Sequence, residues 1–287
     1  MTHLLCFGYG YSARALAGLL KPKGWRITGT CRNAEKAEAL TREGVTALPF
    51  DGTAPIADLR AHITAGTHVL LSVPPGDDGD PVWRLHGADL TACADHIPWL
   101  GYLSTTGVYG DRQGGWVDEA SDLIPATKRG TLRLKAERQW LEAEGLPVHV
   151  FRLAGIYGPG RNPLSRVMKG TARRVVKPGQ VFSRIHVDDI AQVLEASIVR
   201  PNPGAAYNVC DDLAAPPQDV IAHAAELLGK PVPPDIPFEE AEMSPMGLSF
   251  YAESKRVRND RIKDELGVKL LYPDYKVGLA ALKDDEF

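Results

Sequence analysis

His3-Leu4-Leu5-Cys6-Phe7-Gly8-Tyr9-Gly10-Tyr11-Ser12-Ala13 is an apolar run that breaks into a glycine turn and reopens as a helix. His3 to Phe7 reads as a strand, and Tyr11 to Leu20 carries Ala and Leu at helical spacing. Between them stands G-x-G-x-x-A. That pattern is weak alone and specific in this place, directly after a strand and opening a helix at the start of a βαβ unit. Gly8 permits the tight turn, Gly10 lets the backbone approach a pyrophosphate, and Ala13 is small enough for helix and strand to press together. Tyr11, Ser12 and Ala13 open the helix, whose N–H groups and positive dipole end favour phosphate.

Working outward, Trp25 to Thr30, Val45 to Phe50, His68 to Val73, Trp99 to Ser104 and Val148 to Leu153 read as further strands. Helical stretches at Ala34 to Glu43, Ile56 to Ile63, Pro81 to Asp95 and Lys128 to Glu144 separate them. This alternation predicts parallel βαβ units with right-handed crossovers, an α/β fold with a Rossmann-type doubly wound parallel sheet. After Leu153 the pattern changes. Gly155 to Gly179 is rich in Gly, Pro and Arg and reads as loop. Phe182 to Val187 and Ala206 to Cys210 read as strands, and Asp189 to Val199, Gln218 to Leu228 and Lys255 to Leu266 as helices. Pro231 to Pro245 is proline-rich, acidic and irregular. The expected organisation is a dinucleotide-binding domain over 1–154 and a smaller C-terminal α+β substrate-binding lobe over 155–287, with segments returning to the first domain.

The end of strand two selects the cofactor. A site for NAD carries Asp or Glu there, for the ribose hydroxyls. This chain reads Thr28-Gly29-Thr30-Cys31-Arg32-Asn33, with no acid and with Arg32 available. A guanidinium suits the 2′-phosphate of NADP. Arg14 offers a second positive charge. Asp51, after strand three, can accept from the adenine amine or cap the next stretch. Val73 and Pro74, closing strand four, complete the expected NADP-binding set.

Composition limits the remaining classes. The formal net charge is −3, so no basic footprint for nucleic acid is expected. No segment reaches the ~18 apolar residues that span a membrane, and no basic stretch precedes an apolar signal region at the start. The cysteines at 6, 31, 93 and 210 form no CxxC pair and no metal-ligand spacing, which points to a reduced, cytoplasmic protein without a metal site.

The chain resembles the extended or atypical short-chain dehydrogenase/reductases, the group of the NAD(P)-dependent nucleoside-diphosphate-sugar epimerases and dehydratases. The resemblance rests on Leu103-Ser104-Thr105-Thr106-Gly107-Val108-Tyr109-Gly110-Asp111, Val117-Asp118-Glu119, Phe151-Arg152-Leu153, Ile156-Tyr157-Gly158-Pro159-Gly160-Arg161, Arg184-Ile185-His186-Val187-Asp188-Asp189-Ile190-Ala191 and Ala206-Tyr207-Asn208-Val209. It implies that Thr105 is the catalytic hydroxyl residue and that a homodimer is formed. It also exposes a departure. The family's Tyr-x-x-x-Lys falls on Arg129 and Arg133 in one register, or on Thr131 and Lys135 in another, and no Tyr occurs between Tyr109 and Tyr157. The phenol exchanges a proton with substrate while hydride moves, so its loss removes about 10² to 10⁴ in rate unless another group substitutes. Tyr109, Tyr157 and His186 are the candidates. Tyr157, Arg161 and Asp118 are expected to contact a small-molecule substrate, and Asp188 and Asp189 to cap the helix that follows. Two functions stay open: an NADP-dependent epimerase, dehydratase or oxidoreductase acting on a sugar nucleotide or similar polar molecule, and a non-catalytic NADPH-binding sensor or regulatory protein.

Overall fold

A computed structural model describes residues 2–286; Met1 and Phe287, the outer ends of the two expected domains, lie outside them. In chain order the elements are β1 (His3–Phe7), α1 (Tyr11–Leu20), β2 (Arg26–Cys31), α2 (Ala34–Arg42), β3 (Thr46–Pro49), β4 (Thr67–Leu71), α3 (Pro81–Ala92), β5 (Leu100–Thr105), β6 (Trp116–Val117), α4 (Lys128–Leu141), β7 (Val148–Leu153) and β8 (Gly155–Tyr157). They continue with α5 (Pro163–Met168), β9 (Arg174–Val176), β10 (Arg184–His186), α6 (Val187–Val199), β11 (Ala206–Val209), α7 (Pro217–Leu227), β12 (Asp235–Pro237), α8 (Pro245–Tyr251), β13 (Arg256–Val257), α9 (Asp260–Asp264) and α10 (Tyr275–Glu286).

Seven strands form one parallel sheet in the order β11-β7-β5-β4-β1-β2-β3. Chain order reverses at β1, which pairs with β2 on one side and β4 on the other, so the switch point of the doubly wound fold lies beside the glycine turn. β1, β4 and β7 are buried along their whole length, as expected of parallel strands covered on both faces.

The chain gathers into two compact units of three segments each. The first comprises residues up to Ser104, Leu132–Arg152 and Ile190–Tyr207. Here α1 buries Ala13, Leu16, Ala17 and Leu20, spaced at i, i+3, i+4 and i+7, the apolar stripe of a helix lying on a sheet. Phe7 meets Phe50 edge-on at 5.8 Å, and Trp83 meets Trp140 at 4.9 Å. Asp80 starts α3 by accepting from Val82 N (2.9 Å) and Trp83 N (3.0 Å), with Pro81 at the first helical position.

The second unit comprises Thr105–Thr131, Leu153–Asp189 and the chain from Asn208 onward. Its core joins Tyr157, Leu164, Val167, Ala224, Tyr275, Leu279 and Leu282. Three expectations are corrected here. Gly155 to Gly179 is not a plain loop, because it holds β8, α5 and β9. Each is three to six residues long, and β8 and β9 are stabilised by pairing with β10 and β12 from later in the chain. Lys255 to Leu266 is not one helix. Arg256 and Val257 pair in parallel with Trp116 and Val117, and the helix begins only at Asp260. Pro231 to Pro245 contains the strand β12, paired with β9.

Candidate functional site

Gly8 sits at φ +84°, where a side chain is strained, and a Cβ there would lie 3.1 Å from Val73 Cγ2. Its N–H donates to Thr30 Oγ1 at 2.7 Å, and Tyr9 N–H donates to Thr30 O at 3.1 Å. The turn between β1 and α1 is thereby tied to the end of β2. Gly10 holds the N-cap position of α1 in extended conformation, and no side chain caps the helix. A helix of this length with an uncapped start offers backbone donors and a positive dipole end to an anion. The geometry fits a dinucleotide pyrophosphate.

Tyr9 and Thr30 were not singled out in the sequence. The Tyr9 side chain lies against Gly29, where a Cβ would approach Tyr9 Cβ to 2.7 Å and its ring atoms to 2.8 Å, so only glycine admits it. Thr30 carries no sequence signal beyond its closeness to Arg32. Arg32 is exposed just beyond β2, and among the described residues it has no hydrogen-bond or ion-pair partner. Arg14 is engaged differently: it pairs with Glu43 at 3.2 Å and stands over the Tyr9 ring at 5.9 Å. Asp51 accepts from Thr53 N (2.8 Å) and Thr53 Oγ1 (2.6 Å), and these bonds hold its carboxyl below the usual range. It therefore closes its own turn. Val73 borders Gly8, and Pro74 is exposed beside it.

In the first unit Arg133, on α4, is buried, and its Nη1 donates to Leu103 O at 2.9 Å and Tyr102 OH at 3.2 Å. Also buried is the Glu137–Arg152 ion pair, 3.0 Å apart, with the Ser104 hydroxyl donating to Glu137. These contacts fix α4 against β5 and β7. Thr131 and Lys135, the alternative register, are exposed.

In the second unit Thr105 caps a short 3-10 turn, Thr106–Tyr109, that ends on Tyr109. Thr105 Oγ1 accepts from Gly107 N at 3.1 Å, and the residue is half-buried. Tyr109 and Tyr157 are both buried, with their hydroxyls turned to protein acceptors. Tyr109 is fully buried and its hydroxyl donates to Asn208 Oδ1 at 2.7 Å. Tyr157 is buried on Gly278, its hydroxyl reaches Asp274 O at 3.4 Å, and burial pushes its pKa up. Both serve packing. His186 is buried between the Tyr157 and Tyr272 rings, and burial lowers its pKa. Asp189 does not serve as a cap. It accepts from Leu271 N (2.7 Å) and Tyr272 N (3.1 Å), and burial raises its pKa to about 6. Asp118 accepts from Ala120 N and Ser121 Oγ and orders its own loop, while Arg161 is exposed. Among the described residues no group of His, Cys, Asp and Glu is placed to hold a metal ion, and no helix is long and apolar enough to cross a membrane.

No family model matches the chain. It is 55% identical to a functionally unknown conserved protein from Silicibacter pomeroyi DSS, over 99% of both chains, with a TM-score of 0.91. It is 29% identical to the protein YeeZ of Escherichia coli (strain K12), over 96% of this chain and 97% of that one. At 16% identity, 99% of this chain aligns with 96% of the dTDP-glucose 4,6-dehydratase of Bacillus anthracis str. Ames in complex with NAD, with a TM-score of 0.76. The chain belongs to one family with the Silicibacter pomeroyi protein, and it shares the fold of the Bacillus anthracis dTDP-glucose 4,6-dehydratase.

Proposed function

We propose that the protein binds NADP(H) through its first unit and acts as a short-chain dehydrogenase/reductase-type epimerase, dehydratase or oxidoreductase. Its substrate is a sugar nucleotide or similar polar molecule taken by the second unit. The observation that carries this reading is the Gly8–Gly10 turn, bonded to Thr30 and followed at the end of β2 by Arg32 without a competing partner. Gly8, Gly10, Tyr11, Ser12 and Ala13 hold the pyrophosphate, and Arg32 pairs with the 2′-phosphate. Arg14 is available for the same phosphate once released from Glu43. Asp51, Val73 and Pro74 border the nucleotide. The cofactor supplies or accepts hydride; the chain's part is to bind and orient, with Thr105 as the remaining family hydroxyl. The NAD held by the Bacillus anthracis dehydratase supports a nicotinamide dinucleotide in this fold.

A second reading has its own observation. Arg133, which falls on the family's lysine in one of the two registers, is buried with its Nη1 on Leu103 O and Tyr102 OH, and the Tyr109 and Tyr157 hydroxyls face protein acceptors. This favours an NADPH-binding sensor without turnover. Calorimetric titration with NADPH and with NADH tests the shared premise. Tight NADPH and weak NADH binding is expected. Equal affinities overturn the 2′-phosphate assignment, and no binding of either overturns the cofactor site. Consumption of NADPH with sugar nucleotides or other carbonyl substrates then separates enzyme from sensor.

A further inference from the structure

Arg184, on β10, donates from Nη1 to Phe182 O (2.9 Å) and Ala215 O (3.0 Å), bracing the antiparallel bridge between those two residues. Among the described residues its Nε and Nη2 have no hydrogen-bond or ion-pair partner, and neither atom is sealed from solvent. The guanidinium stands 6.0 Å from the centre of the Tyr275 ring, whose hydroxyl also lacks a partner. Asp211 lies behind it, joined through its backbone N–H to Arg184 O at 2.6 Å. The Asp211 side chain is buried, Oδ1 accepts only from Leu213 N at 3.3 Å, and Oδ2 is enclosed without a partner. The carboxyl makes no ion-pair contact with the guanidinium, although each acts on the other's charge.

We infer that Arg184 anchors an oxyanion-binding site in the second unit, taking a carboxylate or phosphoryl group of the small-molecule ligand on its Nε and Nη2. A guanidinium presents those two donors as a fork that matches an oxyanion. Burial raises the Asp211 pKa to about 8, with Arg184 acting in the opposite direction. At neutral pH the carboxyl keeps its proton and leaves the guanidinium charge uncompensated. The guanidinium's two open donors and net charge then favour an arriving anion. When Asp211 ionises, it becomes the internal counter-ion and competes with the ligand.

The charged and titratable neighbours leave Asp211 as the switch. Arg184, Asp212, Tyr157 and Cys210 face Asp211, and Tyr157, Tyr251 and Tyr275 face Arg184. The tyrosines and Cys210 are pushed up by burial and stay neutral, while Asp212 is paired with Lys263 at 2.6 Å. His223 meets the Tyr275 ring edge-on at 5.7 Å rather than Asp211. The inference rests on the second unit being the ligand-binding part. The nucleotide titration tests the cofactor without involving Arg184, so the two readings fail separately.

The test titrates the full chain with sulfate and with malonate, both of constant charge from about pH 7 to about pH 9, following the guanidinium carbon of Arg184 by NMR. Arg184→Lys assigns that signal. Anion affinity about ten-fold weaker at the higher pH is expected, from ionisation of a group titrating near 8. Asp211→Asn is expected to bind equally at both. Stronger malonate binding identifies a carboxylate ligand and stronger sulfate binding a phosphoryl one. An Arg184 signal unmoved by either anion overturns the site. If Arg184→Lys does not fold, Asp211→Asn decides: an unaltered pH response of calorimetric anion binding in that variant overturns the proposal.

Discussion

Gly8 donates its backbone N–H to the Thr30 hydroxyl at 2.7 Å, so the turn between β1 and α1 and the end of β2 are one hydrogen-bonded piece. Thr30→Val keeps the shape and removes the acceptor. Gly8 is partly buried, so leaving its donor unpaired costs about 1 kcal/mol, the low end for an unmade hydrogen bond. Thr30→Val is expected to lower stability to urea by that order and to weaken NADPH binding. Unchanged stability and affinity together would show that the bond does not hold the turn.

Among the described residues Arg32 has no competing partner, and a charge-assisted hydrogen bond to a phosphate contributes about 1.5–3 kcal/mol. Arg32→Ala is therefore expected to weaken NADPH about ten- to hundred-fold by calorimetry while leaving NADH within about two-fold. Equal losses for both nucleotides would remove Arg32 from the 2′-phosphate.

Glu137 and Arg152 form a buried pair 3.0 Å apart. Removing one partner of such a pair costs about 3–5 kcal/mol, whereas replacing both by apolar groups of similar volume is often neutral. Glu137→Met is expected to lower the melting temperature sharply, and Glu137→Met with Arg152→Met to recover most of the loss. A double variant no better than the single one would place the energy in Ser104 and its bond to Glu137 instead.

His3 is fully buried between the Thr67 hydroxyl at 3.1 Å and the Thr28 hydroxyl at 2.9 Å. Burial, with a smaller push from Arg26, lowers its pKa from 6.5 to about 4. The unfolded chain takes up the proton first, so protonation favours unfolding. Stability is unaffected above about pH 6.5 and falls as the pH drops from there toward about 4, by roughly 3 kcal/mol in total. Urea unfolding at both ends of that window should show a smaller acid loss in His3→Gln than in the unsubstituted protein. Equal losses would assign the acid sensitivity to other buried groups.

The strand–glycine–helix stretch was legible because its signals are local. Apolar runs, helical spacing and glycine placement lie within a dozen residues, and the strands that followed were read to within one or two residues. The expected loop over Gly155 to Gly179 failed because β8 and β9 exist only through partners about 30 and 60 residues later. Lys255 to Leu266 failed in the same way, since a two-residue parallel pairing with Trp116 and Val117 outweighs helical propensity.

The candidate site divides along the same line. Sequence alone determined the α/β class, the glycine turn, the missing acid after β2 and the absence of a tyrosine on α4, all properties of residue type and short spacing. Tertiary structure decided which polar groups are already engaged. It set Tyr109 on Asn208, Arg14 on Glu43 and Asp189 on the 271–272 backbone, and among the described residues it left Arg32 and two donors of Arg184 open. A side chain's chemistry depends on its burial and on partners brought in from distant segments, and residue spacing carries neither.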